Sequence, residues 1–250
     1  MSPTASPKKI TANASKERAS TARAVKALEE MNILFGDYPL TELNYKTPFE
    51  LLMAVMLSAQ TTDKQVNKVT KAFFEVAKTP EDVVRLGESG VKEYIKTVGL
   101  HVSKTKNLVK MSQQLIERGG EIPDTLEEMI KLAGVGIKTA KVVLYVLYGQ
   151  KFVAVDTHVQ RVMYRLGIVQ TTSPEQTSHL LEKIIPDSYK DMAHRVIIYF
   201  GRYLCKAQKP ECHRCPLTDM CVWYREHILS KDTWTKEKSG MKKKKIQKKI

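Results

Sequence analysis

Lys138 and Asp156, an amine at one helix start and a carboxylate at another, have the types and the placement to do chemistry. Lys138 follows Gly134-Val135-Gly136 and falls in the first turn of an apolar stretch, Ile137 to Tyr148, that stops at Gly149. Upstream, TLEEMIKLA reads as a short helix, with Asp124 and Glu127 spaced as a capping box. The pattern is therefore helix, glycine turn, helix. Glycine tolerates the backbone angles of so tight a turn. The turn also leaves the first amides of the second helix pointing outward, where they suit a phosphate oxygen. Asp156 stands eighteen residues beyond Lys138, just before Thr157 and His158, as the N-cap of another helix. Taken singly, each feature has a plain structural reading: a helix–helix turn, a solvated lysine and a capping aspartate.

Four cysteines fall at 205, 212, 215 and 221, with gaps of six, two and five residues. Such crowding points to one metal centre rather than to a disulfide framework. A four-cysteine zinc site is one reading, but such sites usually pair two C-x2-C hairpins and only one is present. An iron–sulfur cubane also takes four thiolates and tolerates uneven loops. His213 lies inside the segment, yet four thiolates already complete either site.

These groups need elements to hold them, and the chain supplies helices. Its 250 residues, 42% of them hydrophobic, can build one large or two small domains. The periodicity predicts a helix from Glu17 to Phe35, and an almost wholly apolar one after Thr47-Pro48-Phe49-Glu50. Thr62 or Asp63 caps the next. Short helices follow from Thr79-Pro80 and from Ser89 to Thr97, and then one capped by Ser103. Beyond the glycine turn, helices run from Thr157 to Leu166, Pro174 to Ile185 and Tyr189 to Leu204. Phe152 to Val155 is the one short β-like run. No sustained alternation of period two occurs, so the fold class is all-α.

The net charge is +14, and the tails carry most of it: +7 in residues 231–250 and +3 in residues 1–20. Residues 1–16 and 229–250 read as basic disordered segments. The charge suits a polyanion, either nucleic acid or an anionic surface. The lysine tail lacks the bulky apolar face of an interfacial helix. No apolar run has the length of a membrane span, and no secretory signal is visible. The expectation is a soluble intracellular monomer, cytoplasmic and nucleoid-associated, or nuclear in a eukaryote.

The cysteine spacing C-x6-C-x2-C-x5-C, the hairpin LAGVGIKTA and the VDTH eighteen residues past its lysine together resemble endonuclease III. So do TPFELL, SAQTTD and IKTVGL, and the resemblance runs from Ala22 to Tyr224. That family is an iron–sulfur member of the helix-hairpin-helix DNA glycosylases. The resemblance implies two helical domains with a DNA-binding cleft between them. Residues 41–150 would form a helical barrel, and residues 17–40 with 151–228 the cluster domain. It implies a [4Fe–4S] cluster on Cys205, Cys212, Cys215 and Cys221. Three positions depart from the family pattern: Ala133 replaces proline, Ile137 arginine and Lys141 asparagine.

The same resemblance implies a bifunctional DNA glycosylase and abasic-site lyase acting on oxidised pyrimidines in double-stranded DNA. The base must leave the stack before its glycosidic bond can be reached. Gln60 and Leu100 would supply the filler of the vacated space and the wedge at the opposite base. Lys138 would attack the sugar, aided by a helix start that disfavours its positive charge, and Asp156 would stabilise the cationic sugar. Amides of Gly134, Val135 and Gly136, with Lys206, Lys209 and Arg214 of the cysteine segment, would meet phosphates. Two rivals stand beside this reading. A monofunctional adenine-type glycosylase would lack Lys138 and carry a further C-terminal domain. A non-enzymatic DNA-binding module would hold structural zinc.

Overall fold

The structure is a computed structural model that describes residues 7–230, with side chains from residue 17 onward. Residues 1–6 and 231–250, the start of the first basic segment and most of the second, lie outside the described residues. Helix α1 (Pro7–Phe35) starts earlier than Glu17, so residues 7–16, read from composition as part of an arm, are helical backbone. Proline suits a first helical position, and the lysines and alanines that follow favour helix. Ala24, Ala27, Leu28, Met31 and Phe35 are buried along one face.

Helix α2 (Pro48–Ser58) has the start its sequence predicts: Thr47 Oγ1 accepts from Glu50 N at 3.1 Å, and the Glu50 carboxylate accepts from Lys46 N. Helices α3 (Asp63–Val76) and α4 (Pro80–Ile95) are capped by Thr62 and Thr79. Gly87, at φ 63° and ψ −180°, breaks α4 into two helical pieces. Helix α5 (His101–Glu117) begins without a side-chain cap, after Leu100 rather than at Ser103. The Lys104 amide already bonds to Leu100 O at 3.0 Å, so the helix is under way before the serine is reached. Helix α6 (Leu126–Met129) is capped by Thr125, whose Oγ1 accepts from Glu128 N at 3.3 Å. The cap is thus one residue later than Asp124. Helix α7 (Ile137–Tyr148) ends at Gly149, a left-handed C-cap at φ 63°.

Then come α8 (Thr157–Arg165), α9 (Pro174–Ile184), α10 (Asp187–Tyr203) and the short α11 (Val222–Tyr224). Among the described residues there is no strand. The apolar run from Phe152 has no partner to pair with, and Val153, Ala154 and Val155 are simply buried. No helix among the described residues is long and apolar enough to cross a membrane.

Contacts divide the chain into two compact units, Pro39–Ala154 and Met1–Tyr38 with Val155–Ile250. The first is built around α2, whose Phe49 to Leu57 are all buried. Against it pack Val66, Phe73, Ile95, Leu108, Met111, Leu115, Met129, Val143 and Leu144. Burying a Leu or Met side chain contributes roughly 1.5–3 kcal/mol. Four such residues, Leu51, Leu52, Met53 and Leu57, are completely buried on α2. Their burial far outweighs the strain of the left-handed Gln60 that follows, about 1–3 kcal/mol. In the second unit α1 lies against α10 and α9, α8 packs on α10, and the Phe35 and Phe200 rings meet edge to face at 6.3 Å.

Candidate active site and cluster loop

In the hairpin between α6 and α7 the two glycines have different reasons. Gly134 sits at φ 77°, and a Cβ there would lie 2.7 Å from Asn107 Cβ, so it needs glycine twice over. Gly136 is extended, at φ −85° and ψ 170°, and caps α7. A Cβ on Gly136 would meet nothing within 4 Å. Among the described residues, no packing contact demands glycine there. The open face lies beside the first amides of α7, where a phosphate would approach.

The hairpin is braced by a residue that periodicity does not reveal. Gln114 Oε1 accepts from Ala133 N at 2.7 Å, and its Nε2 donates to Lys131 O at 3.1 Å. A proline at 133 has no N–H to give. Ala133 therefore replaces ring stiffness with a hydrogen bond to α5. Ile137 is 60% exposed at the start of α7, beside exposed Lys138. Lys141, one turn on, is buried, and its ammonium lies 5.4 Å from the centre of the Phe152 ring.

Asp156 is the N-cap of α8, half-buried, with Oδ1 accepting from His158 N and Val159 N, both at 2.8 Å. Two amides on one oxygen fix the carboxylate at a positive helix end. The face of α8 that follows carries His158, Arg161 and Arg165. Burial pushes the His158 imidazole below its ordinary pKa, against the opposing pull of Asp156. Arg161 Nη2 lies 3.1 Å from His158 Nδ1 and donates to Gly201 O at 2.9 Å, while its Nε donates to Cys205 O at 3.0 Å. Arg165 donates to Lys206 O at 2.7 Å and Ala207 O at 3.0 Å, and stacks over Trp223 at 4.5 Å. Arg23 of α1 adds bonds to Leu166 O at 2.6 Å and Met220 O at 2.7 Å. The arginines four apart on α8 were a visible signal in the sequence, but their targets were not.

All four cysteines line one small pocket, walled by Leu166, Phe200, Leu204 and Trp223. Burial raises the thiols of Cys212, Cys215 and Cys221, Cys215 to about 11. Mutual repulsion of the sulfurs raises them further. Only a strongly cationic centre would hold such a set as thiolates. Among the described residues no three Cys, His, Asp or Glu side chains converge closely enough for a single ion. A single zinc needs sulfurs about 2.3 Å from one point. A cubane spreads its four ligands over four irons, and a cavity ringed by sulfur fits that group. Arg165 Nη1 donates to Cys205 Sγ at 3.4 Å and Tyr224 N to Cys221 Sγ at 3.4 Å, as donors do around such sulfurs.

The three cations read as phosphate contacts in this segment are not alike. Lys206 and Arg214 both pair with Glu211, and their hydrogen bonds hold its carboxyl down at about 2. Lys209 is exposed at a left-handed position, φ 49°. Exposed ion pairs are weak and salt-screened, so a phosphate can compete for Lys206 and Arg214.

In the Pro39–Ala154 unit the structure does bring Gln60 and Leu100 together. Both are exposed, and both are left-handed without being glycine, at φ 55° and 59°. Between their turns, a Cβ on Gly99 would lie 2.8 Å from Gln60 O. Such strain persists only where surrounding structure enforces it, and it concentrates at functional sites.

Known proteins match these features. Residues 53–187 match the HhH-GPD superfamily base excision DNA repair protein family, and residues 205–221 the iron-sulfur binding domain of endonuclease III. The chain is 48% identical over 194 residues to endonuclease III of Rickettsia felis, covering 77% of this chain and 91% of that one. It is 45% identical over 192 residues to endonuclease III of Escherichia coli K12, covering 76% and 90%. A solved trapped endonuclease III–DNA covalent intermediate is similar with a TM-score of 0.80 at 42% identity, covering 83% of this chain and 98% of that one. The cofactor of the cysteine segment is accordingly a [4Fe–4S] cluster. Helical fold, glycine hairpin and cysteine segment agree: the chain belongs to the endonuclease III family of iron–sulfur, helix-hairpin-helix DNA glycosylases with abasic-site lyase activity.

Proposed function

We propose that this chain removes oxidised pyrimidines from duplex DNA and cleaves the strand through a Schiff base on Lys138. The observation that carries the reading is an exposed amine in the first turn of α7, behind a hairpin with an open glycine face. A relative 42% identical has been trapped covalently on DNA. The Lys138 amine attacks C1′ as the glycosidic bond breaks, and the base leaves with the electron pair. The sugar ring opens to a protonated imine. Loss of a C2′ proton sends its electron pair into the C1′–C2′ unit and expels the 3′ phosphate by β-elimination. Water then hydrolyses the imine and returns the lysine. Asp156, fixed at a helix start, stabilises positive charge on the sugar and carries protons. Hairpin amides hold the backbone, Lys209 and its neighbours add phosphate contacts, and Gln60 and Leu100 occupy the space of the extruded nucleotide.

The test is incubation with an abasic-site duplex and borohydride, which reduces an imine to a stable amine. A protein–DNA adduct is expected. Base excision with no adduct would instead place the chain with monofunctional glycosylases.

Cys205, Cys212, Cys215 and Cys221 hold the cluster in this reading. When bound, it organises the loop carrying Lys206, Lys209 and Arg214. Purified protein should be yellow-brown with about four irons per chain. Colourless protein prepared without oxygen, carrying one zinc, would overturn the assignment.

A further inference from the structure

Lys104 is only 6% exposed, yet it is a lysine. It lies in the first turn of α5, four residues beyond Leu100. Its Nζ donates to Leu57 O at 2.8 Å, to Ala59 O, and to Thr61 Oγ1 at 3.3 Å. An ammonium has three protons and no acceptor, and here each proton has a target. Leu57 and Ala59 carry carbonyls at the end of α2, which lack helical partners and favour a cation. Burial pushes this amine down to about 8. A core position filled only for packing would be better served by Met or Leu.

The placement gives the charge a purpose. The backbone amide of Lys104 bonds to Leu100 O at 3.0 Å, and its ammonium bonds to residues on both sides of Gln60. The same Thr61 hydroxyl accepts from Gly99 N at 3.2 Å, and Gln65 Nε2 donates to Thr97 Oγ1 at 2.8 Å. One residue therefore spans both strained turns. We propose that Lys104 is a positioning residue that locks the Gln60 and Leu100 turns into one rigid probe for the gap left by an extruded nucleotide. The proposal rests on the role given to Gln60 and Leu100 above, and its test separates the two.

The experiment uses full-length holoprotein and two duplexes of one sequence. One carries a tetrahydrofuran abasic analogue, and the other is undamaged. The quantity read is the ratio of the two affinities, alongside the melting temperature. Lys104→Met should lose about tenfold in that ratio, the cost of ordering two loosened side chains on binding. Affinity for undamaged duplex should hold. Added to the Gln60→Ala/Leu100→Ala variant, Lys104→Met should cost nothing more, because the three act as a unit. Thr61→Val, which removes the shared hydroxyl, should shift the ratio the same way by a smaller factor. A purely structural lysine would lower both affinities with the folded fraction and leave the ratio alone. An unchanged ratio in folded Lys104→Met overturns the proposal. If that variant does not fold, an unchanged ratio in Thr61→Val overturns it. If Gln60→Ala/Leu100→Ala itself keeps the full ratio, both the probe reading and this proposal fall, while borohydride trapping on Lys138 would still stand.

Discussion

Lys138→Gln protein should give no borohydride-stable adduct with an abasic duplex, and its strand cleavage should fall to background. An imine needs a primary amine, and an amide side chain cannot supply one. The substitution is mild in every other respect. Position 138 is exposed, so no core is disturbed. Gln is nearly as good a helix former as Lys. The Gly134 turn and the Gln114 brace are built on Asn107, Lys131 and Ala133. Affinity for damaged duplex should therefore stay within a few-fold of the parent, as one lost cation costs little beside the remaining phosphate contacts. Gel electrophoresis of trapped product, duplex affinity and melting temperature together make the check. Near-normal cleavage by a folded Lys138→Gln protein would mean that another amine or an activated water does the work, and the Schiff-base mechanism would fail.

The positions of Lys138 and Asp156 were legible because both stand at helix starts, which short-range signals mark. Thr47, Thr62, Thr79 and Ser173 caps could be read for the same reason, since each side chain bonds an amide two or three residues on. Local signals also misplace. Asp124 and Thr125 are both good caps, and only the path of the chain chooses Thr125. Leu100 starts α5 in a left-handed conformation that no leucine favours alone, so Ser103 looked the better start. The β-like run at 152–155 reports burial, not pairing, because apolar β-branched residues serve either purpose. What stayed hidden is long-range and polar. Gln114 reaches the hairpin across nineteen residues, Arg161 reaches Cys205 O across forty-four, and Lys104 reaches Leu57 O across forty-seven. No periodicity encodes such partners. Charge pattern likewise marked Lys206 and Arg214 as phosphate ligands without showing that Glu211 already stands between them.

Asp156→Asn should leave a folded protein that binds damaged duplex and excises the base slowly, by on the order of 100-fold or more. The cap explains why folding survives. Asp156 Oδ1 accepts from His158 N and Val159 N, and an asparagine oxygen can accept both bonds. Asn and Asp are equivalent at this position, whereas Ala costs about 1 kcal/mol of helix stability. Asp156→Ala is therefore the control that loses cap and charge together. With the cap bonds on Oδ1 kept, Asn differs from Asp in its lost charge and in the NH2 donor that replaces Oδ2. A fixed negative group favours the cationic sugar as the glycosidic bond breaks, but it repels the phosphates of the resting duplex. Removing it should slow the chemical step while affinity holds or tightens. A capping role alone makes the opposite forecast: Asp156→Asn would be nearly silent, and Asp156→Ala would lose activity in step with its melting temperature. Single-turnover excision at saturating enzyme reads the chemical step free of binding and product release. Excision by Asp156→Asn within a few-fold of the parent would reduce the residue to a helix cap. A large loss at unchanged melting temperature assigns the work to its charge.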